Sequence, residues 1–474
     1  MRARLKSYVT VTSSSPIFET VDVGGWFEST DAGNPGTGRV TQYVSTTQVK
    51  IEIYEAWDNG TGNNVPAGDA IFEEPVWNNT HGWPRSVTFF EGRMYFGGSK
   101  SRPQTLWGSK SNDFFCFDIG TGLDDEAIDV TLDTDQVNAI NNVFAGRHLQ
   151  IFTSGGEFYL PDSPITPTAS SVKRQTLFGS SFIQPRSIDG ATFFVDRTGK
   201  AIREYIFTYT EEAYTSNTVS LLASSLLNAP VDMDVLRGTP DDDSNYLYVI
   251  NGDGTCAVFN SLRAQEVGGW TKWETQGEFK SVTSVVDQVY FIVEREIGGV
   301  TVPVIEKVNK DTYTDSSVLQ TYGTPTDAPT GLDHLNGLNC RVRADASVMA
   351  NATPASGTIT IARTASEIEV GLNFDVTIQT MPLNVDFQDG PILTRKKRIV
   401  RVVLDLYESL GVLVNGYEMP SRQLGTSVLG STPDPFTGID EIFLNGWDRL
   451  AQVSITQTDP LPMMVLGLAL EVEA

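Results

Sequence analysis

The chain has 474 residues, 40 % of them hydrophobic, enough for about two to four folded domains with ordinary cores. Its 59 acidic and 34 basic side chains leave a formal charge of −25, which argues against unaided nucleic-acid binding through a phosphate-neutralising surface. No apolar run approaches the roughly twenty residues that span a bilayer, and Met1-Arg-Ala-Arg-Leu-Lys6 leads into a Ser/Thr stretch where a secretory signal would need an apolar core. The 42 glycines, 24 phenylalanines, 15 tyrosines and 8 tryptophans, with Thr- and Val-rich runs, predict strands joined by tight turns. The expected class is mainly β.

Residues 1–75 alternate polar and apolar side chains in Lys6-Ser-Tyr-Val-Thr-Val-Thr12, Arg39-Val-Thr-Gln-Tyr-Val44 and Gln48-Val-Lys-Ile-Glu-Ile-Tyr54, the pattern of a small β module. Gly33, Gly36 and Gly38 precede no Lys-Ser/Thr pair and no helix, so they read as a loop between strands and not as a phosphate loop. Asp58 to Gly68 is a loose linker, and Glu73-Glu-Pro-Val-Trp77 enters the next domain.

From Trp83 to Asp118 the chain sets a pattern: two short aromatic strands about a Glu91-Gly92 turn, a Gly97-Gly98 break, a strand at Thr105 to Gly108, and an aromatic closing segment. The pattern returns at Ala145 to Leu160, at Asp189 to Phe207, from Tyr246 through Asn251-Gly-Asp-Gly254 to Trp273, and at Asp287 to Val308. Turn spacings of roughly forty to fifty-five residues are those of propeller blades, so about five blade-like units are expected between residues 76 and 320. An array of β-sandwiches is the rival.

Between the first two units, Asp124, Asp125, Glu126, Asp129, Asp133 and Asp135 crowd together without the ligand spacing or central glycine of an EF-hand. The segment 216–227 has a capping residue and apolar positions at helical spacing, and predicts a helix. Asp241 to Asp243 beside Pro240 reads as a solvated turn. Thr321 to Gly331 is rich in Pro, Gly and Thr and reads as a linker into a second β region, 321–474. There Val400, Val402, Leu404 and Leu406 fall on one face of a strand headed by Arg395-Lys-Lys-Arg398. Those basic residues are expected to edge the strand or to meet acidic groups of a neighbouring copy.

Catalytic signatures are missing from the sequence. His81, His148 and His334 are dispersed, there is no Gly-x-Ser-x-Gly elbow and no Walker loop, and the Ser-x-Asp-x-Gly-x-Thr-Trp box of sialidase propellers does not occur. Cys116, Cys256 and Cys340 lie far apart and read as buried thiols rather than a disulfide framework. Neither an enzyme activity, a metal nor a cofactor is expected.

Two motif pairs carry a family resemblance: Arg93-Met-Tyr-Phe-Gly-Gly98 with Thr105-Leu-Trp-Gly-Ser109, and Gly446-Trp-Asp448 with Asp459-Pro-Leu-Pro462. With 123–136, 149–160, 189–206, 395–410 and 436–448, they make most of residues 76–474 resemble the tail nozzle, or tail tubular protein B, of short-tailed bacteriophages. The resemblance implies a structural virion protein: a homo-hexameric ring below a head-to-tail adaptor, with a propeller on each outer flank where fibres or spikes dock. Double-stranded DNA would pass through its channel without sequence-specific binding. It also implies assembly in the host cytoplasm and a gate, expected here in loops of residues 335–385 because 344–357 is turn-rich. Many members carry a longer leading region, so the contact with the adaptor is the least defined expectation.

Overall fold

The computed structural model describes residues 7–29, 36–55, 70–238, 244–384, 386–387, 390–391, 396–419 and 434–473. Two compact units divide the chain, Met1–Ser224 and Ser225–Ala474. The linker read at 58–68, the turn at 241–243 and Arg395 lie outside the described residues.

The first unit opens with a five-stranded antiparallel sheet in the spatial order Ser7–Thr12, Gln48–Glu55, Gly36–Ser45, Trp26–Ser29, Ala70–Glu73. Alternation sends Val49 and Ile51 inward with Phe18, Phe27 and Val40, while Lys50 and Glu52 go to the other face. Gly36 and Gly38 belong to a strand and not to a loop, and Gly33 lies outside the described residues.

Three four-stranded sheets follow. The first blade is Ser86–Phe90, Arg93–Gly97, Thr105–Gly108 and Ile128–Thr131; the second is Ile140–Ala145, Leu149–Thr153, Glu157–Leu160 and Lys173–Thr176. The third is Arg186–Ile188, Ala191–Val195, Ile202–Thr208 and Ala213–Thr218. In the second unit the fourth blade is Pro230–Leu236, Asn245–Asn251, Cys256–Leu262 and Val267–Trp273. The fifth has three strands, Glu278–Val285, Gln288–Ile297 and Val300–Lys307. In all five, strand order in space equals strand order in the chain. Such a run of antiparallel meanders is the blade architecture of a propeller, so the protein is mainly β with a propeller-like central region.

Turn chemistry sets the hairpins. Glu91-Gly92 and Asp189-Gly190 both have positive φ at both residues (43° and 73°, 48° and 78°), the conformation whose twist matches the flanking strands. Apolar side chains then close the seams. Tyr95, Leu106, Ile128, Ile140, Leu149, Ile151 and Phe158 form one core across the first two blades, and Tyr248, Ile250, Val258, Phe279, Val289 and Phe291 form another across the fourth and fifth.

Beyond the blades the described residues of the second unit hold two four-stranded sheets, one of three, and a two-stranded ladder of Asp386–Phe387 with Gly390–Pro391. Asp315–Thr326, Ala365–Leu372, Cys340–Ala344 and Ser347–Val348 make one; Val376–Gln379, Ser454–Gln457, Leu413–Val414 and Tyr417–Glu418 make another. The third places Arg398–Ser409 between Phe436–Phe443 and Val465–Glu473.

Several sequence expectations need correction. The segment 216–227 is not an α-helix: Ala213–Thr218 pairs with the strand Ile202–Thr208, and Leu221–Leu226 is a short 3-10 turn that buries none of its residues. Sheet pairing satisfies the backbone of this Ser/Thr/Asn-rich stretch, whose intrinsic helix propensity is low. The linker reading of 321–331 fails through Thr326, because Asp315–Thr326 pairs with Ala365–Leu372. The basic run does not edge its sheet, since Arg398–Ser409 is the central strand; a register shift at Val400 also puts Ile399, with Val402, Leu404 and Leu406, on the buried face. The turn-rich reading of 344–357 holds, and the segment is tied to its neighbours. Met349 and Ala352 donate backbone N–H bonds to Val342 and Cys340, at 2.9 and 3.0 Å, and both residues pack on the core around Val342 and Val370.

Candidate functional site

Each candidate reactive group is tied into local structure. His81 Nε2 meets Glu74 at 2.7 Å, His148 Nδ1 meets the Tyr214 hydroxyl at 3.0 Å, and His334 Nε2 meets the Ser316 carbonyl at 3.1 Å. The three histidines do not converge, and desolvation with the nearby Arg147 charge holds His148 below the usual imidazole range. All three cysteines are free thiols; burial pushes Cys256 up to about 12 and Cys340 up to about 11, which makes both poor nucleophiles. Among the described residues no group of three metal-ligating side chains converges.

The acidic stretch, expected between the first two blades, runs through the last strand of the first, Ile128–Thr131, and is dispersed into separate jobs. The Glu126 carboxylate accepts the backbone N–H of Thr121, Gly122 and Leu123 at 2.8, 2.5 and 2.7 Å, and these bonds hold it below the usual carboxylate range. Asp129 pairs with Arg102 at 3.2 Å and Asp125 lies 3.9 Å from Lys110. Arg93, buried in the first blade, completes the arrangement: its guanidinium donates to the carbonyls of Ser109, Glu126 and Asp124, each at 2.6 Å. One buried cation thus ties both ends of the connector to the strand, and among the described residues no carboxylate pairs with it. Nothing in the residue pattern announced this role beyond a charged residue heading an aromatic strand.

At the head of strand 398–409, the positive charges meet acidic groups of their own chain. Arg401 bonds Glu441 at 2.9 Å and Glu471 at 3.0 Å, and Arg398 lies 3.7 Å from Glu473. Lys397 is 1 % exposed; its Nζ donates to the Leu383 carbonyl and its backbone pairs both ways with Asp448. The second motif pair of the resemblance therefore marks joints: Asp448 clasps Lys397, and Asp459 reaches Arg341 at 3.6 Å. Asp459 also lines a cavity of about 200 Å³ with Tyr313, Phe374, Val376, Gln457, Leu461 and Met463.

Two sheet faces carry exposed apolar groups. On the N-terminal sheet, Trp26 and Tyr54 meet at 5.0 Å with their ring planes 56° apart, and Lys50 sits 5.2 Å over the Tyr8 ring. On the three-stranded sheet of the second unit, Ile439 and Phe443 are exposed on the face of Arg401 and Asp405, opposite the face that buries Leu404. Faces of this kind mark contact surfaces.

No family model matches the chain, and no curated protein does. Among solved structures it is similar to dihydro-heme d1 dehydrogenase NirN in complex with DHE, at 11 % identity over 76 % of this chain and 78 % of that one, with a TM-score of 0.34. It is similar to BamB from Moraxella catarrhalis, at 11 % identity over 61 % and 95 % of the two chains and a TM-score of 0.23. The Pan2 WD40 domain of Neurospora crassa matches at 13 % identity over 60 % and 91 %, with a TM-score of 0.27. Likeness at this level carries no functional argument. No described helix is long and apolar enough to cross a membrane.

Proposed function

We propose that this chain is a non-enzymic structural protein of a short-tailed phage virion, a tail nozzle that assembles as a homo-hexameric ring and conducts double-stranded DNA. The observation that carries this reading is the use made of the resembling motifs. Arg93 and Ser109, from the two halves of the first pair, meet through Arg93 Nη1 to the Ser109 carbonyl at 2.6 Å and the Met94 N–H to Ser109 Oγ at 2.9 Å. In the second pair, Asp448 bonds Lys397 at the head of the central strand of a sheet whose outer strand 436–443 exposes Ile439 and Phe443, and Asp459 reaches Arg341 on another sheet. Such joints serve a stiff subunit with contact faces.

The charge of −25 supports a conduit, because carboxylate walls do not hold a passing polyanion. Gating in this reading is a movement of whole sheets, since the turn-rich 344–357 segment is hydrogen-bonded to its neighbours. An adaptor would sit above the ring and fibres or spikes on its flank. The test is a symmetry-averaged cryo-EM reconstruction of tails with the chain traced into the map. A coaxial ring around the DNA is expected; a location off axis on fibres overturns the reading.

One observation favours a second reading. The exposed Trp26 and Tyr54 pair is the kind of platform on which a sugar ring stacks, as in a peripheral glycan-binding module. Glycan-array binding lost in Trp26→Ala would favour it, and a blank array would dismiss it.

A further inference from the structure

The second and third blades meet in an aromatic seam. Strand alternation sends Gln150, Phe152, Glu157 and Tyr159 to one face of the second blade, and Phe152, Tyr159, Phe194, Tyr205 and Tyr214 pack as one cluster. Phe152 lies 5.6 Å from Tyr205 edge-on, and Tyr205 stacks on Tyr214 at 4.5 Å. Inside this apolar packing Glu157 is 0 %, Gln150 2 % and Tyr205 0 % exposed.

Each of the three is half satisfied or less. Glu157 Oε2 accepts bonds from Thr176 Oγ1 and from the Phe178 N–H, and Gln150 Nε2 donates to the Tyr214 hydroxyl at 3.4 Å. Glu157 Oε1, Gln150 Oε1 and the Tyr205 hydroxyl have no protein partner, and neither has Arg203 Nε, on the strand that carries Tyr205. A buried polar atom left unpaired costs about 1–3 kcal/mol, and enclosed clusters of such atoms are met by ordered water. Donors and acceptors fit this. An ionised Glu157 and the Gln150 carbonyl only accept, whereas a proton on Glu157 Oε1 supplies a donor.

Charged and titratable groups around the seam leave Glu157 without a contacting cation. The Arg203 guanidinium lies 3.4 Å over the Phe178 ring instead. Asp196 holds the Thr198 hydroxyl in the turn before the strand of Arg203. Arg147 and His148 engage Tyr209, Phe207 and Tyr214, and Lys173 and Arg174 on the adjoining strand are exposed. Tyr159 and Tyr214 face it from the two sheets.

We propose that ordered water in this seam joins Glu157, Gln150 and Tyr205, and that Glu157 acts there as a proton-operated fastener between the second and third blades. Protonated, it donates into the network and the seam is closed; ionised, it is a desolvated carboxylate and the seam loosens. Burial indeed pushes the Glu157 carboxyl above the usual carboxylate range. Since the folded state holds the proton more tightly than the unfolded chain, the stabilisation is complete below the ordinary Glu range and is lost as pH rises through the folded value.

The experiment is thermal unfolding of the full chain from about pH 5 to about pH 9, for the wild type and for Glu157→Gln, whose amide donates at every pH. The wild-type melting temperature should fall towards high pH relative to E157Q; parallel curves overturn the proposal. Should E157Q fail to fold, hydrogen exchange of the wild type decides. Peptides covering 149–153 and 202–208 should lose protection by about tenfold per pH unit beyond the intrinsic rate within the titration window. Equal changes in the fourth-blade strand 256–262 overturn it.

Discussion

The seam between the second and third blades and the seam between the fourth and fifth are both contacts of one meander with the next, but they handle buried polarity in opposite ways. In the fourth and fifth blades, Asp232 Oδ2 accepts the Ser281 hydroxyl at 2.5 Å and the Val282 N–H at 3.0 Å, and Asp234 Oδ2 accepts the Ser284 N–H at 2.7 Å. Carboxylates on the first strand of the fourth blade there bond the first strand of the fifth. In the second and third blades the rings dominate, and Glu157 faces Gln150 and Tyr205 with an open oxygen. The first seam sets an open carboxylate among rings, whereas the second adds bonded carboxylates to its apolar core. Area tolerates a shift in geometry; directed bonds do not.

Substitutions separate the two. Tyr205→Ala removes a fully buried ring between Phe152, Phe194 and Tyr214 and should cost about 3–5 kcal/mol in denaturant unfolding; a loss below 1 kcal/mol would mean that the seam is not ring-packed. Asp232→Ala unpairs the Ser281 hydroxyl and the Val282 N–H and should cost about 1–3 kcal/mol by the same measurement. Tyr205→Phe, which deletes only a hydroxyl without a protein partner, should stay within about 1 kcal/mol of wild type. In pH the blades should part company: peptides of the second blade lose protection as pH rises, for the reason given for Glu157.

The turn of the fourth blade behaves the other way. Asp253 is held below the usual carboxylate range by Asn228 and Thr255, whose side chains donate at 2.9 and 2.7 Å. Its contribution is present above the ordinary Asp range and lost as pH falls through the lowered value. Peptides across 251–255 should therefore open on the acid side, a small effect because the carboxylate is solvated.

The blades were legible because their signal is local. Glycine-bearing turns, aromatic strands and the alternation of Leu149, Ile151 and Phe158 against Gln150 and Tyr159 are properties of neighbouring residues. What escaped depends on residues distant in the chain. The run 216–227 looked helical in isolation, and only its pairing with Ile202–Thr208 makes it a strand and a turn. Thr321-Tyr-Gly-Thr-Pro has linker composition, yet Thr321 pairs with Glu367. No pattern says that the charged residue of Glu157-Phe-Tyr-Leu160 points into a core, or that Arg93 collects three carbonyls from a connector. Spatial partners decide both.

The three-stranded sheet of the second unit has an implication for the order of synthesis. Arg398–Ser409 bonds on one side to Phe436–Phe443 and on the other to Val465–Glu473, and Val376–Gln379 waits for Ser454–Gln457. Ile399, Val402 and Leu404 thus stay uncovered on the ribosome until residues 436–473 have emerged. The first unit can fold as it is translated, whereas this part of the second folds only afterwards, and a ribosome stalled before residue 465 displays an unpaired apolar strand for chaperones or another copy to capture.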